Sequence, residues 1–196
     1  MKSRNRALFV FSFVAAAALA AGGYFAWRHR VPMPERVEAH LKTWHDGPRR
    51  AAEVLIERYG PPDSIAPVLA TWRGRTPWKW IAVHGDSPDS YLEHAVGYQA
   101  PPAAIDALAA FGHGIRFNPD NDELSARSGS ETLNYLALNL ADEIAAGKRS
   151  PLEASDVYVR TARRAASGKS SPYLESLRFE PYQPPPEPPS GLDIGY

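Results

Sequence analysis

The sequence predicts an α+β fold: a mainly antiparallel sheet of about four or five strands with packed helices, preceded by one transmembrane helix. Three observations predict it. Ala7–Trp27 is twenty-one residues without a charge. Period-two strand candidates cluster between residues 67 and 127, joined by turn residues that suit hairpins. Capped segments of helical period occupy the beginning and the last third of the rest.

The first segment fixes the address. At about 1.5 Å per residue a helix over Ala7–Trp27 covers roughly 31 Å, close to the hydrocarbon thickness of a bilayer. Lys2, Arg4 and Arg6 form a basic head over residues 1–6, and Arg28, His29 and Arg30 follow the apolar run. Two readings compete. A cleaved signal peptide fits the basic start, the apolar Ala7–Val14 core and the small residues Ala18-Leu19-Ala20. A retained signal anchor fits Tyr24, Phe25 and Trp27 as an interfacial aromatic belt. The apolar run continues well past Ala20, which favours the anchor. The expected location is therefore the inner membrane, single-pass, with the domain on the periplasmic side; the alternative is secretion after cleavage near Ala20.

Beyond residue 30 the chain holds 17 basic and 22 acidic residues, a net charge of −5. A mildly acidic domain is a poor nucleic-acid binder by general charge, so no nucleic-acid partner is expected. There is no cysteine. Disulfides, thiolate metal sites and cysteine nucleophiles are thereby excluded.

Residues 28–33 read as a linker, 34–180 as a single α+β domain, and 181–196 as a proline-rich tail. Pro34–Trp44 is a helix candidate with Val37, Leu41 and Trp44 on one face. Asp46 is a candidate cap for a second helix through Tyr59, with Ala51, Val54, Leu55 and Tyr59 inward. Gly60-Pro61-Pro62 stops it. Pro67–Trp72 and Trp78–His84 read as a hairpin, and Tyr91–Tyr98 as a further strand. Pro101-Pro102 opens a helix with Ile105, Leu108 and Ala109 inward. Ile115–Phe117 and Glu123–Arg127 flank the turn cluster Asn118-Pro119-Asp120-Asn121-Asp122 and read as a second hairpin. Ser128 and Glu131 have capping-box spacing for a helix that is apolar on more than one face, as a central buried helix is. Ser150-Pro151-Leu152-Glu153 joins cap, N1 proline and reciprocal glutamate, the strongest local signal in the chain. The helix it opens carries Ala154, Val157, Tyr158, Thr161, Ala162 and Ala165 on one face. Pro181–Tyr196 has six prolines in sixteen residues and reads as an extended docking tail with Leu192, Ile194 and Tyr196 as anchors.

Arg58–Asp63 (RYGPPD), Trp72, Pro77-Trp78-Lys79, Tyr91-Leu92-Glu93, Ala126-Arg127, Asn134–Leu140 (NYLALNL) and Gly147–Ser150 (GKRS) resemble a group of small bacterial membrane-anchored or exported proteins of unknown function. The likeness runs over roughly Leu55–Phe179 and implies no activity. Over Leu55–Trp72 alone, the order helix, Gly-x-Pro and strand ending in Trp is similar to the start of outer-membrane assembly lipoproteins of the BamE type. This chain departs from them in having no lipobox cysteine.

Candidate sites follow from residue type and spacing. Trp72–Trp80 packs three tryptophans and three basic residues into nine positions. It reads either as a stacking platform or as core, with Trp78, Trp80 and Ala82 on one strand face. Core is favoured, because tryptophan is mostly buried. His84 and Asp86 are the candidate catalytic pair at a strand end. With His94 and His113 they offer a zinc or base site, although the spacing matches no compact ligand motif. Ser125 and Ser128 near Arg127 lack a Gly-x-Ser-x-Gly elbow, and Arg127 with Glu131 reads as an ion pair at a helix start. Asp120, Asp122 and Glu131 match three EF-hand positions, but Leu124 and Ser125 stand where a ligand and a glycine are needed. Asn134, Asn139 and Asp142 are polar groups on a buried helix and must find partners. Trp72, Trp78, Trp80, Arg127 and Asn134 are the candidate binding residues. No cofactor and no metal is expected.

Two main function classes stand open: a membrane-tethered binding or assembly module that contacts an envelope protein, and an envelope hydrolase using His84 and Asp86. A small-molecule sensor domain is a third. Convergence discriminates them. An enzyme brings His84, Asp86 and a further polar group into one concave pocket.

Overall fold

The computed structural model describes residues 34–185, and Ala7–Trp27 and the tail beyond Pro185 lie outside the described residues. Six helices and one six-stranded sheet form the described chain. Helix α1 is Glu35–Leu41 and α2 is Asp46–Tyr59. Strands β1 (Ser64–Ala66), β2 (Leu69–Arg75), β3 (Trp78–His84) and β4 (Leu92–Gly97) follow. Next come α3 (Ile105–Phe111), β5 (Ile115–Asn118) and β6 (Glu123–Ser128). Helices α4 (Glu131–Ala145), α5 (Pro151–Ala166) and α6 (Pro172–Glu175) complete the order. Among the described residues no helix is long and apolar enough to cross a membrane.

The sheet order is β1-β2-β3-β4-β6-β5, and every neighbouring pair is antiparallel. The sixth strand relative to expectation is β1. Three residues carry too little alternation to signal a strand. Strand β2 begins two residues later than expected and runs on through Arg73-Gly74-Arg75. Arg75 pairs with Trp78, so the hairpin loop shrinks to Thr76-Pro77.

Register sorts the side chains into two faces. His94 lies opposite Ile81 on one side and Ala126 on the other. Trp72, Ile81, Val83, Val96, Leu124 and Ala126 share the His94 face and are fully buried. Helix α4 lies on this face: the Asn134 amide reaches both the His94 ring and the Leu92 carbonyl. Helix α2 is on the same side, with Leu55 bordering a cavity shared with Leu92 and His94. Thr71, Trp80, Ala82, His84, Glu93, Ala95, Ser125 and Arg116 have the opposite parity.

Helix α4 is the centre of the core, as its apolar circumference predicts. Leu136, Ala137, Leu138, Leu140 and Ala141 are all fully buried. Burying each leucine stabilises by roughly 1.5–3 kcal/mol. Helix α5 is peripheral: only Ala154 on it is fully buried. Its start holds the expected capping box, with Ser150 Oγ accepting from the Glu153 N–H and the Glu153 carboxylate accepting from the Ser150 N–H.

Several local expectations are corrected. The cap of α4 is Ser130, whose Oγ accepts from the Leu133 N–H. Ser128 sits two residues earlier and bonds the Ser130 backbone instead. Asp46 is the first residue of α2 and pairs with Arg49 rather than capping. On α2, Leu55 is buried as expected and Ala51 and Tyr59 pack against the core, but Pro48 and Ala52 complete the buried face and Val54 is half exposed. In α3 the inward row is Ala104, Leu108 and Phe111, while Ile105 and Ala109 face out. A three-residue 3-10 turn over Pro102–Ala104 opens that helix and rotates the stripe.

The C-terminal end of the domain docks on the sheet. Tyr182 donates its N–H to the Gly97 carbonyl at 2.9 Å. A Cβ at Gly97 would collide with the Tyr182 carbonyl, so glycine is what permits the approach. Residues 181–185, expected to begin the tail, thus start against the end of β4.

Candidate functional site

On the sheet face opposite the described helices, called the helix-free face below, three polar side chains from adjacent strands meet. His84 Nε2 is 3.0 Å from Glu93 Oε2, and Ser125 Oγ donates to Glu93 Oε1 at 2.9 Å. Glu93 is 5% exposed. Burial alone would push its carboxyl up. Hydrogen bonds from His84 and Ser125, with the charges of His84 and Arg116 nearby, outweigh burial and hold it below the ordinary range.

The row corrects the expected catalytic pair. The carboxylate on His84 is Glu93; Asp86 is exposed in the turn after β3. The order of contact matters more. A serine nucleophile needs the imidazole between hydroxyl and acid, so that the ring can take the hydroxyl proton. Here the carboxylate stands between serine and imidazole, and each of its oxygens already accepts a bond. The three groups form a charged knot on the sheet, not an activated nucleophile.

The other histidines lie elsewhere. His94 is fully buried beneath α4. Burial and the Arg58 guanidinium push its pKa down to about 3, so it is neutral at neutral pH. His113 stacks on Tyr158 at 4.0 Å and bonds Ser155 Oγ at 2.9 Å, and burial pushes its pKa down. Among the described residues no three His, Asp or Glu side chains converge as a metal site requires. Asp120 and Asp122 lie in and beside the turn between β5 and β6, where Asn118 Oδ1 accepts from the Asp120 N–H.

The tryptophans do not form one platform. Trp72 is fully buried and donates Nε1–H to the Gly60 carbonyl at 2.9 Å. Trp78 is 2% exposed, its ring 4.3 Å from His94 and 5.0 Å from Tyr135. It thus departs from the period-two pattern, which puts it beside Trp80. The ladder with β4 begins only at Trp80, so Trp78 is held on one side and turns under the helices. Trp80 is half-buried on the helix-free face. Two of the three basic residues of this stretch are tied down, and Arg73 is exposed. Arg75 pairs with Asp63, and Lys79 reaches Glu123 and the Asn121 carbonyl.

Arg127 donates Nε–H to the Ser90 carbonyl at 2.7 Å. Its expected partner Glu131 is taken by Arg58, which lies seventy-three positions earlier in the chain. The asparagines of α4 bond to neighbouring elements, although Asn134 Oδ1 is buried without a partner among the described residues. Asn134 donates to the Leu92 carbonyl and to His94 Nδ1, both at 2.9 Å. Asn139 donates to the Tyr173 and Ser176 carbonyls and accepts from the Arg178 N–H. Asp142 accepts from the Tyr98 hydroxyl at 3.0 Å. Burial first, and the Asp142 charge second, raise the Tyr98 pKa.

Two cavities border these residues. One of about 370 Å³ lies between Trp78, Lys79, Gly97, Asp122 and Tyr182. One of about 230 Å³ lies between α2, His94 and Glu131. Neither includes His84 or Asp86. The residues that sequence reasoning missed are Glu93 as the partner of His84, and Arg58 and Glu131 as a pair. Glu93 has the His84 parity once β3 and β4 are adjacent. The Arg58–Glu131 contact depends on packing between distant helices and has no local signal. No family model, no curated protein and no solved structure matches this chain.

Proposed function

We propose that this chain is a membrane-tethered binding or assembly module of the bacterial cell envelope, working through the sheet face that no described helix covers. The tether rests on Ala7–Trp27, whose apolar length suits one bilayer crossing. The envelope location rests on the short basic head before it. The bacterial setting rests on the sequence resemblance. The proposed partner is an envelope protein.

One observation carries the binding reading. A one-sided antiparallel sheet normally turns a polar, solvated face to water. Here that face has a buried floor of Ala82, Glu93, Ala95 and Ser125, with Trp80 half-buried among them. Exposed Arg73 and Arg116 share its parity. An aromatic and two arginines around a buried floor is the composition of protein interface centres. The His84–Glu93–Ser125 knot supplies fixed charge without a nucleophile, which favours binding over hydrolysis.

The test is complementation in cells with Trp80→Glu and, as control, Leu152→Glu on the far side of α5. Loss of function with Trp80→Glu alone, in a protein that still melts cooperatively, supports the face. Full function with Trp80→Glu contradicts it. A reporter active only outside the cytoplasm, fused after Tyr196, tests the orientation, and a silent reporter overturns it.

A further inference from the structure

Helix α5 packs by one face only. Buried Ala154, with Tyr158, Ala162 and Ala165 against the core, fixes the inward side. At about 3.6 residues per turn, Arg160, Arg163 and Arg164 fall on the opposite side, and all three are exposed. Past the helix, Gly168 takes a left-handed conformation with φ 77°. Lys169 then donates its N–H to the Arg164 carbonyl at 3.0 Å. This closure of the helix holds exposed Lys169 at the same end.

Residues 157–169 thus carry four cations and no acid, in a chain whose net charge beyond residue 30 is −5. Arg163 and Arg164 suit the negative end of the helix dipole. Arg160 lies a turn further in and Lys169 lies past the helix, so the dipole does not account for them. The acids of the adjoining chain are Asp156, one turn before Arg160, and Glu175, which accepts from Ser170 Oγ. No salt bridge among the described residues engages any of the four cations. Val159, beside Arg160 and Arg163, is 41% exposed.

We infer that this end of α5 rests on the anionic headgroups of the lipid bilayer, as a second membrane contact beside Ala7–Trp27; the inference rests on the tethered reading above. An outward helix face offers no groove for a peptide, so it suits a flat polyanionic surface. Each Lys or Arg near such a surface is attracted without needing a fixed geometry, and an apolar side chain among them enters the interface. The tether makes the contact intramolecular, at high effective concentration, so four charges suffice although the domain as a whole is acidic. The six residues 28–33 span at most about 20 Å, which keeps the domain within reach of the surface.

The chain has no cysteine, so Ser167→Cys, exposed beside Arg163 and Arg164, takes a single fluorophore. The labelled full chain is reconstituted into vesicles of phosphatidylcholine alone or with about one-third phosphatidylglycerol. Both carry a lipid with a nitroxide quencher on its headgroup. Quenching is expected to be at least about threefold stronger with phosphatidylglycerol, and to fall to the phosphatidylcholine level in about 1 M salt. The triple variant Arg160→Gln, Arg163→Gln, Arg164→Gln is expected to lose the gain while melting as the wild type does. A label at Glu53→Cys on α2 is expected to respond little to the lipid. Equal quenching in the two lipids, a gain that persists in high salt, or a gain retained by the triple variant overturns the proposal. So does a response to soluble polyglutamate without one to phosphatidylglycerol, because the patch would then take an acidic protein. Flotation with phosphatidylcholine vesicles after an alkaline wash reads the tether separately. Chain that does not float overturns the tethered reading, and the label then reports the patch alone when the chain is added to preformed vesicles.

Discussion

Asn134 Nδ2 stands 2.9 Å from Nδ1 of His94, and this bond sets the proton on the far side of the ring. It joins the central helix to the central strand through two fully buried polar side chains. Such a contact makes the core sensitive to acid. In the folded chain His94 resists protonation to about pH 3, against an ordinary value of 6.5. As pH falls from 6.5 toward 3 the unfolded chain takes up the proton and the folded chain does not. Stability from this residue is therefore full above 6.5 and falls on acidification.

At pH 4 the loss attributable to His94 is about 3 kcal/mol relative to pH 7. Urea denaturation at both pH values measures it in the wild type and in His94→Gln, which does not titrate. The gap between the two pH values is expected to shrink in the variant by about that amount. An unchanged gap would show that His94 is charged in the fold or exposed.

The Glu93 knot adds acid sensitivity on the other face of the sheet. A carboxyl held below its ordinary 4.5 contributes stability present above that value and lost as pH falls through its folded value. Ser125→Ala leaves Glu93 Oε1 buried without its donor, and is expected to cost about 1–3 kcal/mol at neutral pH. A cost below about 0.5 kcal/mol would mean that water replaces the hydroxyl without penalty.

Helix α4 carries the core, so truncations along it are expensive. Leu136→Ala and Leu140→Ala are each expected to cost about 2–5 kcal/mol in denaturation experiments. Losses under about 1 kcal/mol at both positions would place the helix at the periphery.

Asn139 ties the C-terminal segment to α4 through three hydrogen bonds. Asn139→Ala is expected to speed amide exchange at Arg178 by at least about tenfold, since its N–H loses its acceptor. An exchange rate equal to that of the wild type would show that the segment is held by Leu174 and Phe179 packing alone.

Much of this architecture is legible in local pattern. The Ser150–Glu153 cap, the α1 stripe and the all-round apolar α4 are properties of short windows, and the structure has them as read. What escaped was decided by register and packing. Three residues cannot announce β1. Glu93 looks like a surface glutamate until β3 and β4 pair and bring His84 and Ser125 to it. Trp78 obeys alternation in sequence but lies where the ladder is one-sided. Arg127 and Glu131 are near in sequence, yet a helix boundary sends them to Ser90 and Arg58.

The most direct test of the binding reading is photo-crosslinking in intact cells. A photoreactive residue replaces Thr71 or Arg116 at the rim of the helix-free sheet face, or Leu152, 75% exposed on α5, as control. The expected result is one discrete adduct with an envelope protein from both rim positions, lost on Trp80→Glu, and none from Leu152. Adducts of equal yield from Leu152, or none from either rim position in a functional, membrane-located protein, would contradict it.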